Sequence, residues 1–130
     1  MPSSSASPPW MIRASVLRDI SLVAQKNHPN EFIALLGVGE KSSHVVSELV
    51  YVPFESGRTF SGLYSELIPF DELVVGTVHS HPSPSAFPSD ADLNVFSRMG
   101  RVHLIIAYPY SPQSIRAYSS KGKPISLRTV

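Results

Sequence analysis

The 130-residue chain is long enough for one domain with its own core and too short for a second. Its formal net charge is +1, with eleven Lys and Arg scattered without a run, which argues against a nucleic-acid surface or a polybasic membrane patch. It has no cysteine, so disulfides, thiolate metal sites and cysteine nucleophiles are excluded together, and any bound metal must rely on His, Asp or Glu.

Met1 to Pro9 is rich in Ser and Pro, with no basic residue and no apolar run. It reads as a flexible arm over residues 1–9, neither a secretory signal nor a membrane anchor, and the protein as cytoplasmic, with residues 10–130 forming a single domain. Trp10 to Ala14 suits a short strand, and Ser15 is a good N-cap for a helix carrying Val16, Leu17, Ile20, Val23 and Ala24 on one face. That helix should end at Asn27-His28-Pro29-Asn30, where His28 belongs to the cap. Glu31 then opens the apolar run Phe32 to Val38, too short for a typical helix and better read as a buried central strand. Gly39 to Ser43 makes a turn, and His44 to Val52 reads as an antiparallel partner. Pro53 to Asp71 loses the pattern and is expected to be a long functional loop.

Leu73 to His79 resumes strand character, with Val75, Thr77 and His79 on one face and Val74, Gly76 and Val78 on the other. After a proline-rich turn, Ser89 begins a helix through Met99 that Gly100 can close. Val102 to Tyr108 is a second buried strand, in which His103 reads as structural. Ser114 to Ser119 and Ile125 to Val130 are two more strands, the last alternating Ile125, Leu127 and Thr129. Strands outnumber helices, which predicts an α/β sandwich around a mixed, curved sheet.

The segment His79 to Asp92 stands out within this order, holding two histidines and two carboxylates between mostly apolar stretches. His79 and His81 are two apart, so on a strand their imidazoles leave the same face. Asp92 returns over the turn to offer an oxygen. Two nitrogens, one oxygen and an open fourth position is the ligand count of a catalytic zinc site. Ser89-x-x-Asp92 is also a capping box, which explains Ser89 without any chemistry. Asp92 shares a helix face with Val95, Phe96 and Met99, so it points to the core side and needs a cation or donors there. Asp90 faces away and favours the helix dipole. Glu31 is either a solvated carboxylate at a strand edge or a base at the mouth of a buried strand.

Glu31, His79-Ser80-His81-Pro82 and, six residues on, Ser89-Asp90-Ala91-Asp92 together resemble the signature of the JAMM (MPN-plus) zinc metalloprotease family: an upstream Glu, His-x-His-Pro and Ser-x-x-Asp. The order of elements is similar from about Ile12 to Tyr118. The resemblance implies a cytidine-deaminase-like α/β fold, with His79, His81 and Asp92 binding one Zn2+, Glu31 holding the catalytic water, and Ser89 stabilising the oxyanion. Family members hydrolyse peptide or isopeptide bonds after the Gly-Gly tail of ubiquitin or ubiquitin-like proteins. This chain is short and lacks the cysteine of a second zinc site, which fits a compact archaeal or bacterial enzyme. The alternatives are a processing peptidase for a ubiquitin-like sulfur carrier and a non-catalytic MPN scaffold. Pro53 to Asp71 would border the cleft and pair with an extended substrate tail.

Overall fold

In the computed structural model, which describes residues 9–51 and 72–130, the elements run β1 (Trp10–Ile12), α1 (Ala14–Asn27), β2 (Ile33–Val38), β3 (Val45–Tyr51), β4 (Val74–His81), α2 (Asp90–Phe96), β5 (Val102–Ala107), a 3-10 turn (Pro112–Ser114), β6 (Arg116–Tyr118), β7 (Pro124–Ile125) and β8 (Leu127–Thr129). Most of the expected arm and the expected loop from Pro53 to Asp71 lie outside the described residues.

The strands form one eight-stranded sheet in the order β7-β6-β5-β4-β2-β3-β1-β8. β2 is antiparallel to both β3 and β4, while β4 and β5 run parallel and are joined by the crossover through α2. The last strand departs from expectation. Ile125 to Val130 is not continuous: β7 pairs with β6 at one end of the sheet and β8 with β1 at the other, with only Ser126 between them. The sheet therefore curls nearly into a barrel, flanked by the two helices. This is the α/β arrangement around a mixed, curved sheet that the order of elements predicts.

α1 buries Val16, Ile20 and Ala24, spaced at four, against Ala34, Leu36 and Val38 of β2, Val78 of β4 and Leu104 and Ile106 of β5. Each buried Val, Leu or Ile among them contributes roughly 1.5–3 kcal/mol when removed from water, which together outweighs any single cap. Ser15 is not the cap. Arg13 holds the N-cap position without a side-chain bond, and the Ala14 N–H is satisfied instead by the Val130 carbonyl at 2.9 Å. The end of the helix does fall at His28, whose N–H donates to the Ala24 carbonyl.

The other face of the sheet carries Leu35, Ile105 and Tyr118, covered by Val95 and Phe96 of α2. β4 contains a bulge. Its register against β2 passes from Leu36↔Gly76 to Gly37↔Val74, so Val75 is the extra residue and joins the α1-side core with Val78. Thr77 and His79 keep the α2 face, without Val75. The helix expected through Met99 stops at Phe96, and Gly100, at φ +109°, turns the chain into β5 against the Val75 carbonyl, where a Cβ would lie 2.4 Å away. No helix among the described residues is long and apolar enough to cross a membrane.

Candidate metal centre

His79 and His81 close β4, with His79 paired to Ile33 on one side and Ile105 on the other. Strand periodicity sends both rings to the α2 face, where their Nε2 atoms approach to 3.0 Å. Asp92, in the first turn of α2, completes the group: Oδ1 lies 3.1 Å from His79 Nε2 and Oδ2 lies 3.2 Å from His81 Nε2. The ligand atoms all fall within 4.8 Å of one another. The side chains are only 3%, 15% and 15% exposed, so most of the water that would screen them is gone.

The capping box is present as well, and it serves the cluster. Ser89 Oγ accepts from the Asp92 N–H at 3.1 Å, and Asp92 Oδ2 accepts from the Ser89 N–H at 2.9 Å. The oxygen that faces His81 is thus fixed by the helix it begins. α2 has only seven residues, too short to persist on its own, so the cap and the burial of Val95 and Phe96 hold it in place.

His81 Nδ1 lies 2.9 Å from the Ser85 carbonyl, an acceptor only, so Nδ1 carries the proton and Nε2 keeps a lone pair for a ligand. Beneath His79, Phe96 lies 6.4 Å away ring to ring and stacks on His103 at 4.4 Å. His103 is fully buried: Nε2–H donates to the Gly100 carbonyl and Nδ1 accepts from the Thr77 hydroxyl at 2.8 Å. Burial pushes its pKa down to about 4, so it is a neutral, structural residue as expected.

Burial alone would raise the Asp92 pKa, but hydrogen bonds from His79, His81 and the Ser89 backbone more than offset it, and the carboxyl is held well below its usual range. The Asp92 hydrogen bond raises His81 against the opposing effect of burial, and the charges of Asp92 and Glu31 add to the rise. With the two Nε2 atoms 3.0 Å apart and both facing the Asp92 carboxylate, the cluster needs a proton or a cation at its centre, and a bound ion would take the place of the protons. Two imidazole nitrogens and a carboxylate oxygen suit zinc, so the residues fit a divalent ion of that kind.

Glu31 is exposed at the entrance to β2. The pairing of Ile33 with His79 and the bond from the Ser80 N–H to the Phe32 carbonyl at 2.9 Å carry the register on, setting Glu31 beside His81. The sequence does not single out Ser80, fully buried between the ligands, whose Oγ accepts from the Phe32 N–H at 2.7 Å. Nor does it single out Tyr110, buried at φ +74°, whose hydroxyl meets His28 Nδ1 at 2.6 Å. Both contacts join residues far apart in the chain and leave no local pattern. His28 therefore does more than cap α1.

Residues 13–121 match the family of prokaryotic homologues of the JAB domain. A probable metalloprotease of Haloferax volcanii is 36% identical over 115 residues, covering 81% of this chain and 70% of that protein. A JAB1/MPN domain protein of Archaeoglobus fulgidus superposes with a TM-score of 0.74 at 36% identity, over 95% of this chain and 99% of the other. A second solved structure, described as JAMM, a metalloprotease-like zinc site in the proteasome and signalosome, matches at 37% identity with the same TM-score and coverage. A Desulfitobacterium hafniense protein, at 19% identity and a TM-score of 0.63 over 92% of each chain, shares the fold.

Proposed function

The chain belongs to the JAMM/MPN metalloprotease-like family, among its prokaryotic JAB-domain members, and from that premise we propose that this metalloprotease hydrolyses the bond after the C-terminal Gly-Gly of ubiquitin or a ubiquitin-like protein. The observation that supports this reading most is the meeting of His79, His81 and Asp92 at the end of the strand beside Glu31.

His79, His81 and Asp92 would hold the ion. When bound, zinc supplies Lewis acidity and lowers the pKa of a water from about 15.7 towards about 7. Glu31, at the open mouth of the centre, takes the proton of the attacking water and returns it to the departing amine, acting first as base and then as acid. Ser89 Oγ uses a lone pair for the Asp92 N–H, which leaves its own hydrogen to donate to the substrate carbonyl as that oxygen gains charge. Comparable donors are worth about 3–4 kcal/mol in the transition state. Ser85 and the capping box keep the ligands from rotating while this happens.

The test is metal analysis of the purified protein together with cleavage of ubiquitin-like fusions carrying a Gly-Gly junction, linear or lysine-linked, with and without chelator. The proposal expects one zinc per chain and chelator-sensitive cleavage after Gly-Gly. Cleavage of the linear junction alone would narrow the function to processing of a precursor, such as a sulfur carrier. Hydrolysis that ignores the Gly-Gly junction would overturn the substrate assignment.

A further inference from the structure

Glu31 projects from a segment that crosses from α1 to β2 and is fastened at both ends to the ligand-bearing part of the fold. One residue after it, the Phe32 N–H donates to the Ser80 hydroxyl at 2.7 Å, while the Phe32 carbonyl accepts the Ser80 N–H at 2.9 Å. In a regular antiparallel pair both bonds would run backbone to backbone. Here a side-chain oxygen stands in for the Ser80 carbonyl, so one bond of the β2–β4 ladder depends on a hydroxyl just where Glu31 comes alongside His81. Three residues before Glu31, His28 is tied to the Tyr110 hydroxyl at 2.6 Å and packs its ring at 4.8 Å on Tyr108. Tyr108 in turn donates its N–H to the carbonyls of His81 and Ser83. Tyr110 is pinned by the Ser21 hydroxyl on its carbonyl and held in a left-handed conformation that a bulky residue adopts only under constraint.

We propose that Ser80 and Tyr110 are positioning residues for Glu31: the Ser80 hydroxyl sets the distance of the Glu31 strand from the metal ligands, and the Tyr110–His28 bond fixes the segment that enters it. The inference rests on the reading of Glu31 as the base. Both side chains are buried, away from the open mouth of the centre. Their removal displaces a proton-transfer group without disturbing the ligand atoms, and a shift of about 1 Å in such a group can cost up to about a hundredfold in rate.

The experiment compares wild-type protein with Glu31→Gln, Ser80→Ala, Ser80→Thr and Tyr110→Phe, each zinc-loaded, on one Gly-Gly fusion substrate, and follows the metal-free proteins by amide exchange and backbone order. Ser80→Ala and Tyr110→Phe should each lower kcat by roughly ten- to a hundredfold with KM and zinc content unchanged. Ser80→Thr, which keeps the hydroxyl, should return kcat to near wild type. In the metal-free protein, Ser80→Ala should speed exchange of the Phe32 amide about tenfold or more, and Tyr110→Phe should lower the order of Asn30 and Glu31. Should Ser80→Ala fail to fold, Tyr110→Phe, which keeps the ring, carries the test alone. The inference is overturned if both variants keep kcat within about twofold while Glu31→Gln is inactive, or if their loss of kcat tracks loss of zinc. A fully active Glu31→Gln sinks the reading of Glu31 itself, and the metal-free measurements then decide whether Ser80 and Tyr110 hold the segment.

Discussion

The two halves of the site are held in opposite ways. In the ligand half, Asp92 is gripped by its own helix cap and by two imidazoles, and His81 by Asp92 and the Ser85 carbonyl. In the base half, so called for the role proposed for Glu31, that residue is exposed and depends on contacts made by its chain neighbours. Metal binding should therefore resist small changes, while turnover should be easily lost without loss of metal. The fold spends its redundancy on the cation.

The largest effect is expected where the redundancy is removed at its hub. Asp92→Ala takes away one ligand oxygen and half of the capping box, so zinc should be lost on dialysis and turnover with it; retained zinc would show that Asp92 is not a ligand. Ser89→Ala removes a cap worth about 1 kcal/mol and the donor proposed for the developing oxyanion. Its kcat should fall by about a hundred- to a thousandfold with zinc retained, as measured by steady-state kinetics beside metal analysis. A loss confined to thermal stability would reduce Ser89 to its cap.

A smaller effect lies beneath the ligand half. His103 has a pKa of about 4 in the fold, below the ordinary value of 6.5, so it stays neutral there while the unfolded chain takes up a proton. Its contribution is complete above pH 6.5 and is lost as pH falls towards 4, by about 3 kcal/mol over that window. Asp92, whose pKa is lowered, loses its contribution only at more acidic pH, and His81, whose pKa is raised, acts in the opposite sense by losing stability as pH rises. Denaturant unfolding of the metal-free protein between pH 7 and 4 should show the slope, and His103→Leu should flatten it. An unchanged slope would mean that the floor under His79 is not set by a neutral His103.

Much of the ligand half can be read in the sequence because it obeys local periods. His79 and His81 share a face by the two-residue repeat of a strand, and Ser89-x-x-Asp92 announces a helix start whose inward face includes Asp92. The base half depends on register. Glu31 precedes His79 by 48 residues, and only the pairing of β2 with β4 brings them together. The Ser80 and Tyr110 contacts have no periodic signature, so Ser80 reads as a spacer. Similarly, the bulge at Val75 replaces one apolar residue with another in the pattern and leaves no trace there. The split at Ser126 also escapes notice, since Ile125, Leu127 and Thr129 alternate smoothly through a point where the chain moves from one sheet edge to the other. Ser15, a good cap by type, lies inside α1, because the helix starts at Ala14, whose N–H is tied to the distant Val130 carbonyl that no local reading could supply.

The separation of the two halves is tested most directly by zinc stoichiometry and turnover measured on the same preparation of Glu31→Gln. Independence of the two halves predicts one zinc per chain, bound as tightly as in the wild type, with cleavage of the Gly-Gly fusion abolished. Wild-type turnover, or loss of zinc together with activity, would contradict it.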